Sequence, residues 1–245
     1  TIMLRTALRR SACFRAPVLG TLPARTVSHT SKRSQESEAH IVAAPAVVKK
    51  DGILGKIQKK LGLSGDSQTK LRFSSYILYE SVVDRLDYIA FFKTFNLPNT
   101  FNSWFLVTEL HVWMILVRAM AEGAEKGENG RFLRNCLVEA MWGDVKMRAK
   151  KLDPSNPTGT RKHIEMFSQQ FQAALINYDE GLMGDDMVLA GALWRRFFEK
   201  ECPNYEMLEL LVKYVREHIK MLDSLSFQNF IQKPQIVWKD FMLQK

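Results

Sequence analysis

Apolar side chains recur at three- and four-residue intervals along most of the chain after residue 70. Leu208, Leu211, Val215 and Ile219 show the pattern most regularly, and a second series runs from Ile164 to Tyr178. This spacing places the apolar side chains on one face of an α-helix, whereas a strand would alternate apolar and polar residues. The pattern therefore predicts an all-α fold, with a single helical bundle-like domain of six or seven helices and essentially no sheet.

The densest apolar run is TFNSWFLVTELHVWMILVRAM, from Thr100 to Met120. A transmembrane helix needs about 20 predominantly apolar residues. Here the most apolar part, Trp104 to Val117, is 14 residues long and contains Glu109 and His111. A buried carboxylate is costly in lipid unless it is paired. We therefore expect a central bundle helix that is apolar nearly all round because neighbouring helices surround it.

The ends of the chain differ from its middle. Residues 1–35 carry seven basic side chains and no acidic one, within a net charge of +9 for the whole chain. An Arg- and Ser-rich segment without acids is typical of a mitochondrial transit peptide, and a disordered basic arm is the alternative. Residues 36–70 are expected to form a linker with a short basic amphipathic helix as a candidate element. The helical domain follows at 71–232, and 233–245 form a C-terminal tail.

The remaining charge is nearly balanced, so no direct DNA binding is expected. Within the helical domain, Pro154, Pro157 and Gly159 predict a variable connection across residues 143–163. Its basic residues make an RNA- or ribosome-binding protein one alternative function. The residues concerned are Lys146, Arg148, Lys150, Lys151, Arg161 and Lys162.

His111 raises the question of a metal or haem ligand. Helical bundles that hold iron commonly use Glu-x-x-His pairs, and this chain has no such pair. The three cysteines are far apart, and no phosphate-binding loop or nucleophile motif is present. We therefore predict a non-enzymatic protein with no catalytic residues, no metal and no cofactor. His111 is interpreted as a core or groove histidine, and a haem-handling protein remains an alternative function.

The stretch YDEGLMGDDM, from Tyr178 to Met187, contains four carboxylates. Its structural interpretation is that Gly181 ends one helix with positive φ and that Asp185 caps the next helix. Asp186 would then stabilise this helix, because its negative charge lies at the positive end of the helix dipole. The main alternative is an acidic recognition surface. A chain with 15 Phe, 11 Met and 5 Trp can also place apolar side chains in a groove for apolar or amphipathic segments.

Three motifs are similar to the ubiquinol–cytochrome c chaperone family, the assembly factors of mitochondrial respiratory complex III. They are LPNTFNSWFLVTELHVWM (97–114), YDEGLMGDDMVLAGALWRRFF (178–198) and LELLVKYVREHIKMLDS (208–224). The resemblance implies a chaperone that binds newly made cytochrome b with a small companion assembly factor. It implies that cytochrome b is held until haem insertion, in some cases beside the mitochondrial ribosome. The expected location is the matrix face of the inner membrane, with peripheral membrane contact.

This resemblance turns the conspicuous polar and aromatic side chains into candidate client or partner contacts. The acidic residues would recognise a basic loop or partner, and the tryptophans would lie near a groove, with core packing as the alternative for each tryptophan. The candidates are Trp104, His111, Trp113, Tyr178, Asp179, Glu180, Asp185, Asp186 and Trp194.

Overall fold

The computed structural model describes residues 67–121, 129–201, 204–232, 234 and 236–239. The predicted transit peptide and the candidate amphipathic helix of the linker lie outside these residues. The described residues form eight α-helices and no strand, which confirms the all-α fold. They are α1 (Ser67–Val83), α2 (Tyr88–Thr94), α3 (Phe101–Ala121), α4 (Asn129–Leu152), α5 (Pro157–Met183), α6 (Asp186–Phe197), α7 (Tyr205–Asp223) and α8 (Phe227–Gln232).

Six of these helices have at least 12 residues, and the two short helices account for the excess over the predicted number. α2 begins where the Asp87 side chain accepts the N–H of Ala90 at 2.9 Å. A helix of seven residues spans about two turns, which is too short for an apolar repeat to identify it.

The central helix is α3, which packs against α1, α2, α4 and α7. α3 has 21 residues and passes the length and composition test for a membrane span, but 78% of its most apolar part is buried inside the protein. Its length therefore does not exclude a span, contrary to the expectation from the 14-residue run. The surrounding helices identify α3 as a core helix, as its sequence pattern predicts.

The predicted variable connection across residues 143–163 is mostly helical. α4 continues to Leu152 and α5 starts at Pro157, so that only residues 153–156 join them. Pro157 occupies the first helical position, where its missing N–H costs nothing, and the Asn156 side chain caps the helix by accepting the N–H of Gly159 at 2.8 Å. We call residues 144–166 the α4–α5 tip; they comprise the end of α4, this connection and the start of α5.

Part of the predicted C-terminal tail packs on the helices. Ile236 is 3% exposed, and the Trp238 indole N–H donates to the Ser81 carbonyl at 3.0 Å. The backbone N–H of Lys239 donates to His218 Nε2 at 3.0 Å. These contacts tie residues 236–239 to α1 and α7.

Candidate functional site

The motif with four carboxylates forms the corner between α5 and α6. α5 ends at Met183, and the N–H of Gly184 donates to the Glu180 carbonyl at 3.0 Å. α6 begins at Asp186 after two intervening residues, and the Asp185 side chain caps it by accepting the N–H of Val188 at 3.0 Å. The predicted capping role of Asp185 is therefore present, and two residues are enough to join the helices.

Gly181 does not end a helix with positive φ, contrary to the structural interpretation of the sequence. It lies inside α5, where the backbone of α6 comes close. A Cβ atom at Gly181 would lie 2.9 Å from the Leu189 Cα, a distance that real Cβ atoms essentially never show. The glycine is needed because α5 and α6 pack with their backbones in close approach.

Arg216 of α7 holds the corner in place. Its guanidinium donates to the Leu182 carbonyl at 3.0 Å and to the Gly184 carbonyl at 2.8 Å. Carbonyls at the end of a helix lack intrahelical partners, so these bonds satisfy acceptors that α5 cannot satisfy itself. The same guanidinium forms an ion pair with Asp186 at 2.9 Å. The Asp186 side chain nevertheless remains 76% exposed and belongs to the protein surface.

Three apolar side chains are exposed at this corner. Met183 is 60% exposed, Met187 81% and Val188 40%. Single exposed apolar residues are ordinary, but here three of them lie within six positions and acidic side chains accompany them. We call this group the corner surface, which consists of Glu180, Met183, Asp185, Asp186, Met187 and Val188.

One side of α6 extends the corner surface. Met187, Gly191 and Trp194 are spaced by four and three residues, so they lie on the same side of the helix. Trp194 is half-buried against the core. The nearest atom to a Cβ placed on Gly191 would be the Arg195 Nη1 at 3.4 Å, which is ordinary van der Waals contact. The Arg195 side chain therefore passes close to Gly191 on this side of the helix.

Asp179 points in a different direction from the other three carboxylates. It accepts the indole N–H of Trp113 at 2.8 Å and so links α5 to α3. Burial raises the pKa of Asp179, and the hydrogen bond from Trp113 opposes that shift. Trp113 is 1% exposed and Tyr178 0% exposed, and their ring centroids are 5.0 Å apart. In this structure Trp113 and Tyr178 belong to the core and the half-buried Asp179 faces it, and only Glu180, Asp185 and Asp186 reach the corner surface.

A family model described as ubiquinol-cytochrome C chaperone matches residues 93–238 of the chain. The chain belongs to this family. The resemblance of the three motifs is thereby confirmed, and the match continues beyond them to include residues 236–238 of the tail.

Named relatives agree with the family. The chain is 55% identical over 226 residues to ubiquinol-cytochrome c reductase complex assembly factor 1 of Drosophila melanogaster, covering 91% of this chain and 86% of that protein. It is 38% identical over 196 residues to the human protein of the same name, covering 79% and 64%. Protein CBP3, mitochondrial, of Saccharomyces cerevisiae is 32% identical over 143 residues, covering 57% of this chain and 42% of the yeast protein. No solved structure matches the chain.

The part of the chain that defines the family also contains a buried ion pair. The Glu109 carboxylate of α3 is 0% exposed and accepts two bonds from Arg196 of α6, at 2.7 and 2.9 Å. Both oxygens accept from one guanidinium, so we assign the pair as ionised. Burial raises the pKa of Glu109, and the bonds from Arg196 oppose that shift. The sequence indicates that a buried Glu109 needs a partner, but Arg196 lies 87 positions away, beyond the reach of any local pattern.

His111 is buried, and both of its ring nitrogens have partners. Nδ1 lies 2.7 Å from the Val107 carbonyl and Nε2 lies 2.8 Å from the Tyr214 hydroxyl. A carbonyl only accepts, so Nδ1 carries the proton and Nε2 accepts from Tyr214. Burial lowers the pKa of His111 to about 3. This arrangement leaves no ring nitrogen for iron, and the described residues contain no group of three or more potential metal ligands.

Trp104 lies outside the corner surface. The half-buried ring stacks on Phe101 with centroids 5.2 Å apart, and the Arg148 guanidinium lies 4.7 Å from its centroid. Arg148 also donates to Asp144 at 2.8 Å. Trp104 therefore connects the start of α3 to the end of α4. The structure brings together Trp194 and three acidic candidates, and it places Trp104 and His111 elsewhere.

Proposed function

We propose that this protein is an assembly chaperone for mitochondrial respiratory complex III. It binds newly synthesised cytochrome b, together with a small companion assembly factor, and holds it until haem insertion and further assembly. Membership of the ubiquinol–cytochrome c chaperone family supports this role. The mitochondrial location in the name of the yeast relative supports action in mitochondria. We place the protein at the matrix face of the inner membrane, where cytochrome b is inserted.

The corner surface is the observation that carries a binding mechanism. Met183 and Met187 are the most exposed methionines among the described residues, at 60% and 81%. Methionine side chains are flexible and polarisable, so they adapt to different apolar partners. The half-buried Trp194, on the same side of α6 as Met187, offers further apolar contact. An amphipathic segment of the client or the companion can place its apolar side against these residues.

Charge defines which segments fit. Glu180, Asp185 and Asp186 surround the exposed methionines, and Arg216 balances one of these carboxylates. Loops of membrane proteins that are not translocated carry an excess of Lys and Arg. A basic loop next to an apolar helix end is therefore complementary to the corner surface in both polarity and charge.

The test is affinity capture of the tagged full chain from mitochondria in mild detergent, with quantification of cytochrome b. Replacing both exposed methionines (Met183→Ser with Met187→Ser) should lower the recovery of cytochrome b or of the companion about tenfold, equivalent to about 1.4 kcal/mol. A second variant, Glu180→Gln with Asp185→Asn, removes two charges while asparagine preserves the helix cap. It should lower capture most at low ionic strength, and its difference from the native chain should shrink as ionic strength rises.

Matched controls keep the two parts of the proposal separate. Ile89→Ser with Val237→Ser removes two exposed apolar side chains elsewhere, and Glu209→Gln with Asp223→Asn removes two exposed charges elsewhere. Both controls should capture cytochrome b normally. Full capture by a folded corner variant would overturn the assigned surface. Absence of cytochrome b from the native protein's partners would overturn the function itself.

A further inference from the structure

The α4–α5 tip combines exposed basic and exposed apolar side chains. Residues 144–166 contain six Lys or Arg and three Asp or Glu, a net charge of +3. Five of the basic side chains are exposed, namely Lys146, Lys150, Lys151, Arg161 and Lys162. Met147 is 52% exposed, Leu152 49% and Met166 43%. Only the four-residue connection separates the two helix ends, so these side chains lie at one end of the helix pair.

Helix stability does not account for the charges of α5. A helix is stabilised by acidic residues at its N-terminus and by basic residues at its C-terminus. α5 has no acidic residue in its first turn and no basic residue in its last turn. It carries Arg161 and Lys162 in the second turn and Glu180 near its C-terminus. These charges oppose the helix dipole, so they do not stabilise α5. This favours a role for them in binding something outside the protein.

We infer that the α4–α5 tip docks on an anionic phospholipid bilayer. Basic side chains are attracted to the negative surface of such a bilayer, and apolar side chains between them enter the boundary of headgroups and acyl chains. Met147, Leu152 and Met166 are the exposed apolar side chains of the tip that can enter this boundary. Arg148 does not take part, because Asp144 and Trp104 already engage it.

The apolar side chains favour a bilayer over RNA. Single-stranded RNA is bound largely by stacking of its bases on exposed aromatic rings. Trp104 is the tryptophan at this end, and its ring is stacked on Phe101 and covered by Arg148. Tyr88 also stacks against it, with centroids 6.5 Å apart. The exposed apolar residues of the tip are instead methionine and leucine.

Docking of the tip would also orient the molecule. Arg161 and Met183 lie at opposite ends of α5, about 33 Å apart along the helix axis at 1.5 Å per residue. An anionic surface attracts the basic end of α5 and repels Glu180, Asp185 and Asp186 at the other end. The corner surface would thus remain accessible to the segments proposed to bind there. The inference rests on the proposed location at the inner membrane, but its test requires neither cytochrome b nor mitochondria.

The experiment is flotation of the full chain with vesicles of phosphatidylcholine, alone or mixed with phosphatidylglycerol. A basic residue near an anionic surface strengthens binding about fivefold, so Lys150→Gln with Lys151→Gln should weaken binding to the mixed vesicles about 30-fold. The control is Lys213→Gln with Lys220→Gln, two exposed lysines of α7 with the same change in charge. The basic N-terminal residues are identical in both variants, so their contribution cancels in the comparison.

Two further measurements locate the contact and separate bilayer from RNA. Hydrogen exchange of the vesicle-bound chain should slow at the amides of residues 153–160, which comprise the connection and the first turn of α5. Met147→Ser with Met166→Ser should weaken vesicle binding several-fold and leave binding to a single-stranded RNA oligomer unchanged. Equal effects of the tip and control variants on vesicle binding would overturn the inference. So would a tip that binds the RNA oligomer but not the mixed vesicles.

Discussion

Arg196→Met removes the only charge that the structure provides for the buried Glu109 carboxylate among the described residues. The Glu109 side chain is 0% exposed, whereas Arg196 is 16% exposed. Removing one partner of a buried ion pair typically costs about 3–5 kcal/mol, since the remaining charge has no water to solvate it. For a folded part of this size that loss lowers Tm by roughly 10 °C or more.

The two single variants should differ in cost. Glu109→Met leaves Arg196, which can reach solvent through its exposed fraction, so this variant should be less destabilised than Arg196→Met. The double variant Glu109→Met with Arg196→Met leaves no buried charge and should recover most of the lost stability. The free energy of unfolding, from urea titrations followed by circular dichroism, provides the three values.

The loss in free energy of unfolding caused by Arg196→Met should also depend on pH. Without Arg196, burial holds the folded-state pKa of Glu109 further above the unfolded value of about 4.3. A raised carboxyl pKa means that stability is retained below the unfolded pKa and lost as pH rises through the folded pKa. The loss caused by Arg196→Met should therefore shrink as pH falls toward about 4.3. A cost below about 1 kcal/mol for Arg196→Met, or additive losses in the double variant, would refute the reasoning.

Two other predictions concern the packing of the bundle. Gly181→Ala should lower the free energy of unfolding by about 1–3 kcal/mol, because its Cβ meets the Leu189 backbone. Gly143→Ala, whose Cβ has nothing within 4 Å, should raise the free energy of unfolding by up to about 1 kcal/mol, and equal effects of the two variants in urea titrations would contradict this. Burial lowers the pKa of His111 to about 3 and also lowers the pKa of His218. The unfolded chain therefore binds more protons than the folded chain below about pH 6.5. The free energy of unfolding should be full above that pH and fall below it, by up to about 1.4 kcal/mol per pH unit for each histidine. His163→Gln, which replaces an exposed histidine, should keep the same pH dependence. A free energy of unfolding that does not change between about pH 7.5 and pH 5.5 would contradict the prediction.

The regular helices were predictable because the sequence features that specify them lie close together along the chain. α7 shows three- and four-residue spacing throughout, and Asn204 caps it as the sequence indicates, by accepting the N–H of Glu206 at 2.9 Å. Asp185 likewise caps α6. Such signals depend on residues within one or two turns of each other, so the all-α fold follows from sequence alone.

The errors have equally physical causes. Glycine and proline suggested a connection across residues 143–163, but Pro157 is at a first helical position and Gly143 is tolerated inside α4. Gly181 resembles a helix end, although its role is a close contact with α6 that depends on tertiary packing. Whether an Asp or Trp of the three family motifs faces the core or solvent is also decided by neighbouring helices. That is why Asp179 and Trp113 could not be separated from the corner surface beforehand.

The measurement that tests the central claim most directly is site-specific photocrosslinking during mitochondrial translation. A photoreactive phenylalanine derivative replaces Met187, which is 81% exposed at the corner surface, and in a second chain it replaces Tyr205, which is 79% exposed on α7. We expect newly made cytochrome b or the small companion factor to crosslink at position 187 and not at position 205. Crosslinking of both to position 205 alone, or to neither position while cytochrome b still copurifies, would contradict the assignment of the corner surface.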